Sequence, residues 1–164
     1  LNRPRLRNEN PRCPCQPRPA AAALPPATYL SLETLTMRIT LTALHPDMPD
    51  GPWVGFRCAL GEGRGRWSGP VPELFSVHEV EIGLEDLFQC GRNLHPHSPP
   101  SPGLGWGSDG LQVSGQLLQV DDDGGAALAV GQSIVLLWVQ GDPGECPRWV
   151  KVHARDIVLH PVTL

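Results

Sequence analysis

Lysine is nearly missing from this chain: Lys151 stands alone against twelve arginines, a bias that coding in a GC-rich genome tends to give. Aromatic residues are few, at 5%, although five of them are Trp. Long apolar runs are missing too. The longest, Ile134 to Val139, is six residues, whereas a membrane-crossing helix needs about 20. Residues 37–164 hold no Cys-x-x-Cys pair, which removes the commonest zinc signature. No Walker loop, dinucleotide-binding glycine pattern, His-Glu-x-x-His or Gly-x-Ser-x-Gly elbow occurs either, so the familiar nucleotide, metalloprotease and hydrolase readings lose their sequence support. Gly (18) and Pro (19) are abundant instead. Both are poor in helix interiors, which argues against a helical bundle.

The composition is uneven. Residues 1–36 hold seven prolines and five arginines and few large apolar residues. Proline cannot donate to a ladder, and so little apolar surface cannot offset chain entropy, so a disordered tail is expected here. The apolar run Ala20–Leu24 ends at Pro25-Pro26 after five residues, short of the roughly 7–15 of a signal-peptide core. The first Met, Met37, coincides with the start of alternating patterning. The expectation is therefore an upstream extension over 1–36 and a working protein from Met37, a single β-rich domain over 37–164. That body has eight basic and fifteen acidic residues, a formal charge of −7.

Within the body, Met37, Ile39, Leu41 and Ala43 alternate with polar residues, the period of a strand with one buried face. Val54, Phe56, Cys58 and Leu60 form a second such set, and Leu74 to Ile82 a third, with His78, Val80 and Ile82 opposite Glu79 and Glu81. Gly61 to Arg66 reads as a flexible loop, Leu84 to Cys90 as one helical turn, and Arg92 to Asp109, with its four prolines, as a long loop. Leu111 and Val113 alternate up to Gly115, then Leu118 and Val120 follow in shifted parity, which predicts a bulge or bend at the glycine. Asp121 to Gly125 predicts a turn. Ala126, Leu128 and Val130 start another strand, and Ile134 to Gln140 reads as a strand buried on both faces. Gly141 to Pro147 predicts a further turn. Val150, Val152 and Ala154, then Ile157 and Leu159, form the closing apolar faces.

Short strands bent at glycines are how small sheets curl into barrels. The fold class expected is mainly β: a small, strongly bent antiparallel sheet or OB-like barrel. The segments Val-Ser-Gly-Gln-Leu-Leu-Gln-Val-Asp-Asp-Asp-Gly (113–124) and Ala-Leu-Ala-Val-Gly-Gln-Ser-Ile-Val-Leu-Leu (127–137) resemble those of small bacterial OB-like β-barrel proteins with no assigned activity. The resemblance covers residues 74–164. It implies a fold and no chemistry.

Candidate chemistry is thin. Asp121, Asp122, Asp123 and Gly124 suggest a calcium loop. In EF-hand register, however, Gln119 falls at the first ligand position and Val130 at the last, so a turn explains them better. Cys90, His95 and His97 offer zinc ligands without a fourth at defined spacing. Cys58, Cys90 and Cys146 are an odd set, so reduced thiols and a cytoplasmic location are expected. Glu79 and Glu81, side by side on a strand, can share a proton or a metal, and a solvent face explains them equally. No catalytic residue, cofactor or metal is assigned.

OB-type nucleic-acid binding combines a basic groove with stacking aromatics. Trp53, Trp67, Trp106, Trp138 and Trp149 supply aromatics, and Arg64, Arg66 and Arg148 a local positive patch, but −7 overall repels phosphate. An acidic surface steers towards basic partners. The expected function is a non-enzymatic protein-interaction module, of inhibitor or immunity type, covering a basic partner, with nucleic-acid binding as the alternative. No membrane partner is expected. The interaction candidates are Glu79, Glu81, Trp106, Trp149, Arg64 and Arg66.

Overall fold

A computed structural model describes residues 35–98 and 100–163. The tail expected over 1–36 therefore lies outside the described residues, apart from Leu35 and Thr36. No helix among the described residues is long and apolar enough to cross a membrane. Twelve strands follow in order: β1 (Thr36–His45), β2 (Trp53–Cys58), β3 (Gly61–Trp67), β4 (Val77–Leu84), β5 (Leu87–Gln89), β6 (Leu94–Pro96), β7 (Gly103–Gly107), β8 (Gly110–Val120), β9 (Gly125–Val130), β10 (Ser133–Gln140), β11 (Arg148–Ala154) and β12 (Ile157–Pro161).

The expectation of a mainly-β chain that curls into a small barrel is met. Antiparallel ladders join β1 to β2, β2 to β3, β1 to β4 and β4 to β12. The circle closes where β12 pairs in parallel with β3, Val158 opposite Arg66 and Leu159 opposite Trp67. Five strands thus form a closed barrel with no free edge. Its inward face follows the period-two pattern: Ile39, Leu41, Val54, Phe56, Val80, Ile157 and Leu159 are all buried. The pattern on β1 slips at Thr42, where the register with β2 shifts. A bulge changes parity, so Leu44, not Ala43, packs against the core.

The barrel is drawn from residues 36–84 and 157–161, not from the 74–164 stretch where short strands cluster in the sequence. Residues 85–156 form an insertion between its fourth and fifth strands. There β5, β10, β9 and β8 pair in that order, β11 takes the opposite edge of β8, and β6 pairs with β11. The two ends of this run, β5 and β6, are consecutive in the chain. Beside β9, β7 pairs with the first half of β8 and touches β3 at Gly61 and Leu104. One hydrophobic cluster runs through barrel and insertion.

Four local expectations are corrected. Gly61–Arg66 is strand β3, not a flexible loop. Its glycines point inward, where a Cβ at Gly63 would come within 2.6 Å of Leu111 Cδ1 and one at Gly65 within 2.9 Å of Ile157 Cγ2. Small residues fill the narrow interior while Glu62, Arg64 and Arg66 alternate outward. Leu84–Cys90 is not a helical turn, because Leu87–Gln89 pairs in parallel with β10 and buries Phe88. The 92–109 loop contains β6 and β7, anchored by buried Leu94 and by the ladder to β8. In β8 the inward set runs on through Gly115 to Leu117, and the register shifts between Leu117 and Gln119. Gly115 itself is a close-approach position, where a Cβ would collide with the Ala129 carbonyl.

Candidate functional site

Alternation along β4 points His78 into the barrel and Glu79 and Glu81 out of it. His78 Nε2 lies 2.7 Å from Ser76 Oγ, and its ring meets Trp67 edge-on with centroids 4.9 Å apart. The two glutamates face Arg38 and Thr36 across the β1–β4 ladder. His78 and the glutamate pair therefore do not converge on one cavity.

The outer face of β1, β2 and β3 gathers Arg38, Arg57, Arg64 and Arg66, half of the body's basic residues. The Arg64 guanidinium lies 5.9 Å from the centroid of the Trp106 ring, which is 38% exposed, so two of the expected interaction residues are brought together. Arg66 is engaged otherwise: it bonds Asp156 at 2.7 Å and lies 3.9 Å from Asp50. Asp50 also accepts from Trp53 Nε1 at 3.0 Å. Trp149 sits half-buried on β11, opposite Gln116 of β8, away from this group. Arg148 donates to the Pro143 carbonyl and does not join the patch. Glu62 on β3, with Asp50 and Asp156 on Arg66, offsets much of the positive charge.

Cys90, His95 and His97 do not assemble. Cys90 Sγ lies 3.9 Å from the Asp142 carbonyl, while the His95 ring stands 5.8 Å from that of His153. Among the described residues no three His, Cys, Asp or Glu side chains converge in a metal-binding group. An open groove of about 450 Å³ lies between Leu118–Val120 and the 141–146 turn, with Cys146 in its wall. Burial is the main cause that raises the Cys146 thiol above its ordinary value. Nearby Arg148 opposes this and Asp142 adds to it.

One exposed apolar face is not announced by the sequence pattern. Strand β10 is not buried on both faces. Val135, Leu137 and Val139 face the core, while Leu136 is 52% and Trp138 54% exposed. Trp138 stands opposite Leu87 of β5, itself 45% exposed, so the three apolar side chains share one outward face. Beyond them Gln89 and Gln140 bond each other. On the other side, the β9 residues in register with Leu136 and Trp138 are Ala127 and Gly125, too small to cover them. A six-residue apolar run next to an Ala- and Gly-rich strand was the available signal.

This face ends at the expected turn, where Asp121 N–H donates to Gly125 O at 2.8 Å and Gly124 N–H to Asp121 O at 3.0 Å. Asp123 Oδ1 accepts from Gly125 N–H at 3.0 Å. The position a Cβ would take on Gly125 lies 3.3 Å from Asp123 Oδ1, 3.7 Å from Asp121 Oδ2 and 3.8 Å from Trp138 Cζ3. Carboxylates and indole thus flank the same bare stretch of backbone. Compared with known proteins, the chain matches no family model, no curated protein and no solved structure.

Proposed function

We propose that this chain is a non-enzymatic protein-interaction module that docks a protein partner on the outer face of β10 and β5. The carrying observation is the contiguous exposure of Leu87, Leu136 and Trp138 on one sheet face. Contiguous exposed apolar surface with a polar rim is characteristic of docking surfaces, whereas single exposed apolar residues are ordinary. The body's charge of −7 favours a basic partner, and covering a basic toxin surface, as an inhibitor or immunity-type protein does, is the specific form this reading takes. The test is capture of interacting proteins by the full chain at low and high salt, beside Leu136→Asp and an outer-face control, Thr40→Asp. The reading expects a basic protein that Leu136→Asp loses and Thr40→Asp retains. Equal capture by all three, or none, counts against it.

The approach of Arg64 to the Trp106 ring favours a second reading, that the outer face of β2 and β3 binds single-stranded nucleic acid. OB-type barrels use that face for oligonucleotides. The acidic residues beside these arginines keep this reading second. A titration with a single-stranded oligonucleotide at low salt tests it: quenched Trp fluorescence that Arg64→Ala abolishes supports it, and a flat response removes it.

A further inference from the structure

The docking face is apolar along its length and acidic at one end, and this asymmetry constrains its occupant. Leu136, Trp138 and Leu87 form the apolar part. Asp121 and Asp123 stand at the Trp138 end of the face, their carboxylates and the indole flanking the bare backbone of Gly125. Asp122 in the same turn is exposed as well. None of the ion pairs among the described residues uses these three carboxylates.

Resting on the protein-docking reading above, we infer that the partner presents an arginine at this end of the face, its guanidinium lying flat on the Trp138 indole and bonding the Asp121 and Asp123 carboxylates, while partner apolar side chains cover Leu136 and Leu87. Three features select arginine. Its planar group stacks on an aromatic surface in a way a lysine ammonium does not. Its fork of N–H donors matches carboxylate oxygens. Gly125 presents no side chain between indole and carboxylates, so a planar group can approach over its bare backbone, and a Cβ there would stand in the way. Charge complementarity thus fixes the partner's orientation, with its cationic end at the β8–β9 turn.

The experiment follows the Gly125 amide and the Trp138 indole N–H of the full chain by NMR during titration with N-acetyl-arginine methylamide. The lysine analogue is titrated in parallel. The expected result is saturable shifts at both groups with the arginine compound, and at least threefold weaker binding of the lysine compound. Gly125 lacks the positive φ that disfavours side chains, and the atom closest to an added Cβ is the end of the exposed Asp123 side chain, so Gly125→Ala is expected to fold, and it abolishes the indole shift. Asp123→Asn weakens binding, and Trp138→Leu removes it. Equal binding of both analogues, no localised shift, or an unchanged response in Gly125→Ala overturns the inference. If these titrations fail while Leu136→Asp still loses the captured partner, the docking reading stands and only the arginine is wrong. If both fail, so does the docking reading.

Discussion

At the residue scale, Phe75 stands out. It is the non-glycine residue with positive φ, 63°, among the described residues, and its side chain is 70% exposed. A bulky residue in the left-handed region is disfavoured by about 1–2 kcal/mol, and little burial offsets this here. The backbone is held in place from both sides, Phe75 N–H donating to the Leu41 carbonyl and Leu41 N–H to that of Ser76, each at 3.0 Å. Phe75→Gly keeps both bonds and removes the steric conflict. After the larger unfolded-state entropy of glycine is deducted, it is expected to stabilise the fold by about 0.5–1 kcal/mol. Phe75→Ala keeps the conflict and gives no gain. Urea midpoints of the three proteins decide this, and equal midpoints for the Gly and Ala variants would count against strain at this residue.

His153 makes a second residue-scale case. Its Nδ1 is buried without a hydrogen-bond partner. Burial holds its pKa below the ordinary 6.5, with His95 and Lys151 acting in the same sense and Asp109 against them. The folded state therefore disfavours the imidazolium. The unfolded chain binds the proton first as pH falls, so this contribution to stability is fully present above 6.5 and is lost below it. His153→Gln removes the titration. The melting temperature of the wild type is expected to fall more between pH 7.5 and 5 than that of the variant, and parallel curves would refute the assignment.

At the scale of elements, the sequence was legible wherever large apolar residues alternated. The strands around Ile39, Phe56, Val80, Leu128 and Val152 could be read directly, and the Asp121–Gly125 turn followed from its chemistry. Strand β3 was hidden because its inward residues are Gly63 and Gly65. Period-two reasoning looks for bulk, and here the barrel interior requires its absence. In β8 the parity change after Gly115 points to the glycine. The register shift falls three residues later, at Leu118, and only pairing with β9 locates it. The inverse error hid the docking face. Ile134 to Val139 is apolar throughout, so one-residue alternation vanishes, and exposure depends on what its neighbours offer. Beside Trp138 those neighbours are Leu87 and Gly125, and sequence alone does not pair β10 with β5. Of the expected interaction residues, Arg64 and Trp106 meet, and Arg66 shares their face but is held by Asp156 and Asp50, while Glu79 and Glu81 lie on β4 and Trp149 on β11.

At the scale of the whole molecule, the barrel closes only when a strand from the end of the chain returns to β3 and β4. Long-range pairing of this kind gives no local reward, because loop closure must precede contact, and no sequence period announces it. The structure shows what stabilises the return. The chain leaves the barrel after Leu84 and re-enters at Ile157, and these two crossings are bonded to each other. The Asp86 carboxylate accepts from Arg155 N–H at 3.1 and 3.2 Å and from Asp156 N–H at 2.9 Å. Glu85 N–H donates to the Asp156 carbonyl at 2.9 Å. Asp156 in turn holds Arg66 of β3 at 2.7 Å, which links the corner to the strand that β12 must join. Asp86→Ala leaves two exposed backbone donors to water in place of their carboxylate, a loss of about 0.5–1.5 kcal/mol, and Asp86→Asn, which keeps one neutral acceptor, is expected to fall between. The effect should be local in hydrogen exchange. Amides of residues 155 and 156 and of β12 lose protection, while those of β9 and β10 retain it relative to the global stability. Uniform loss of protection across all twelve strands would mean that the corner is one contact among many, and that closure of the barrel is held by the apolar packing of Ile157 and Leu159 instead.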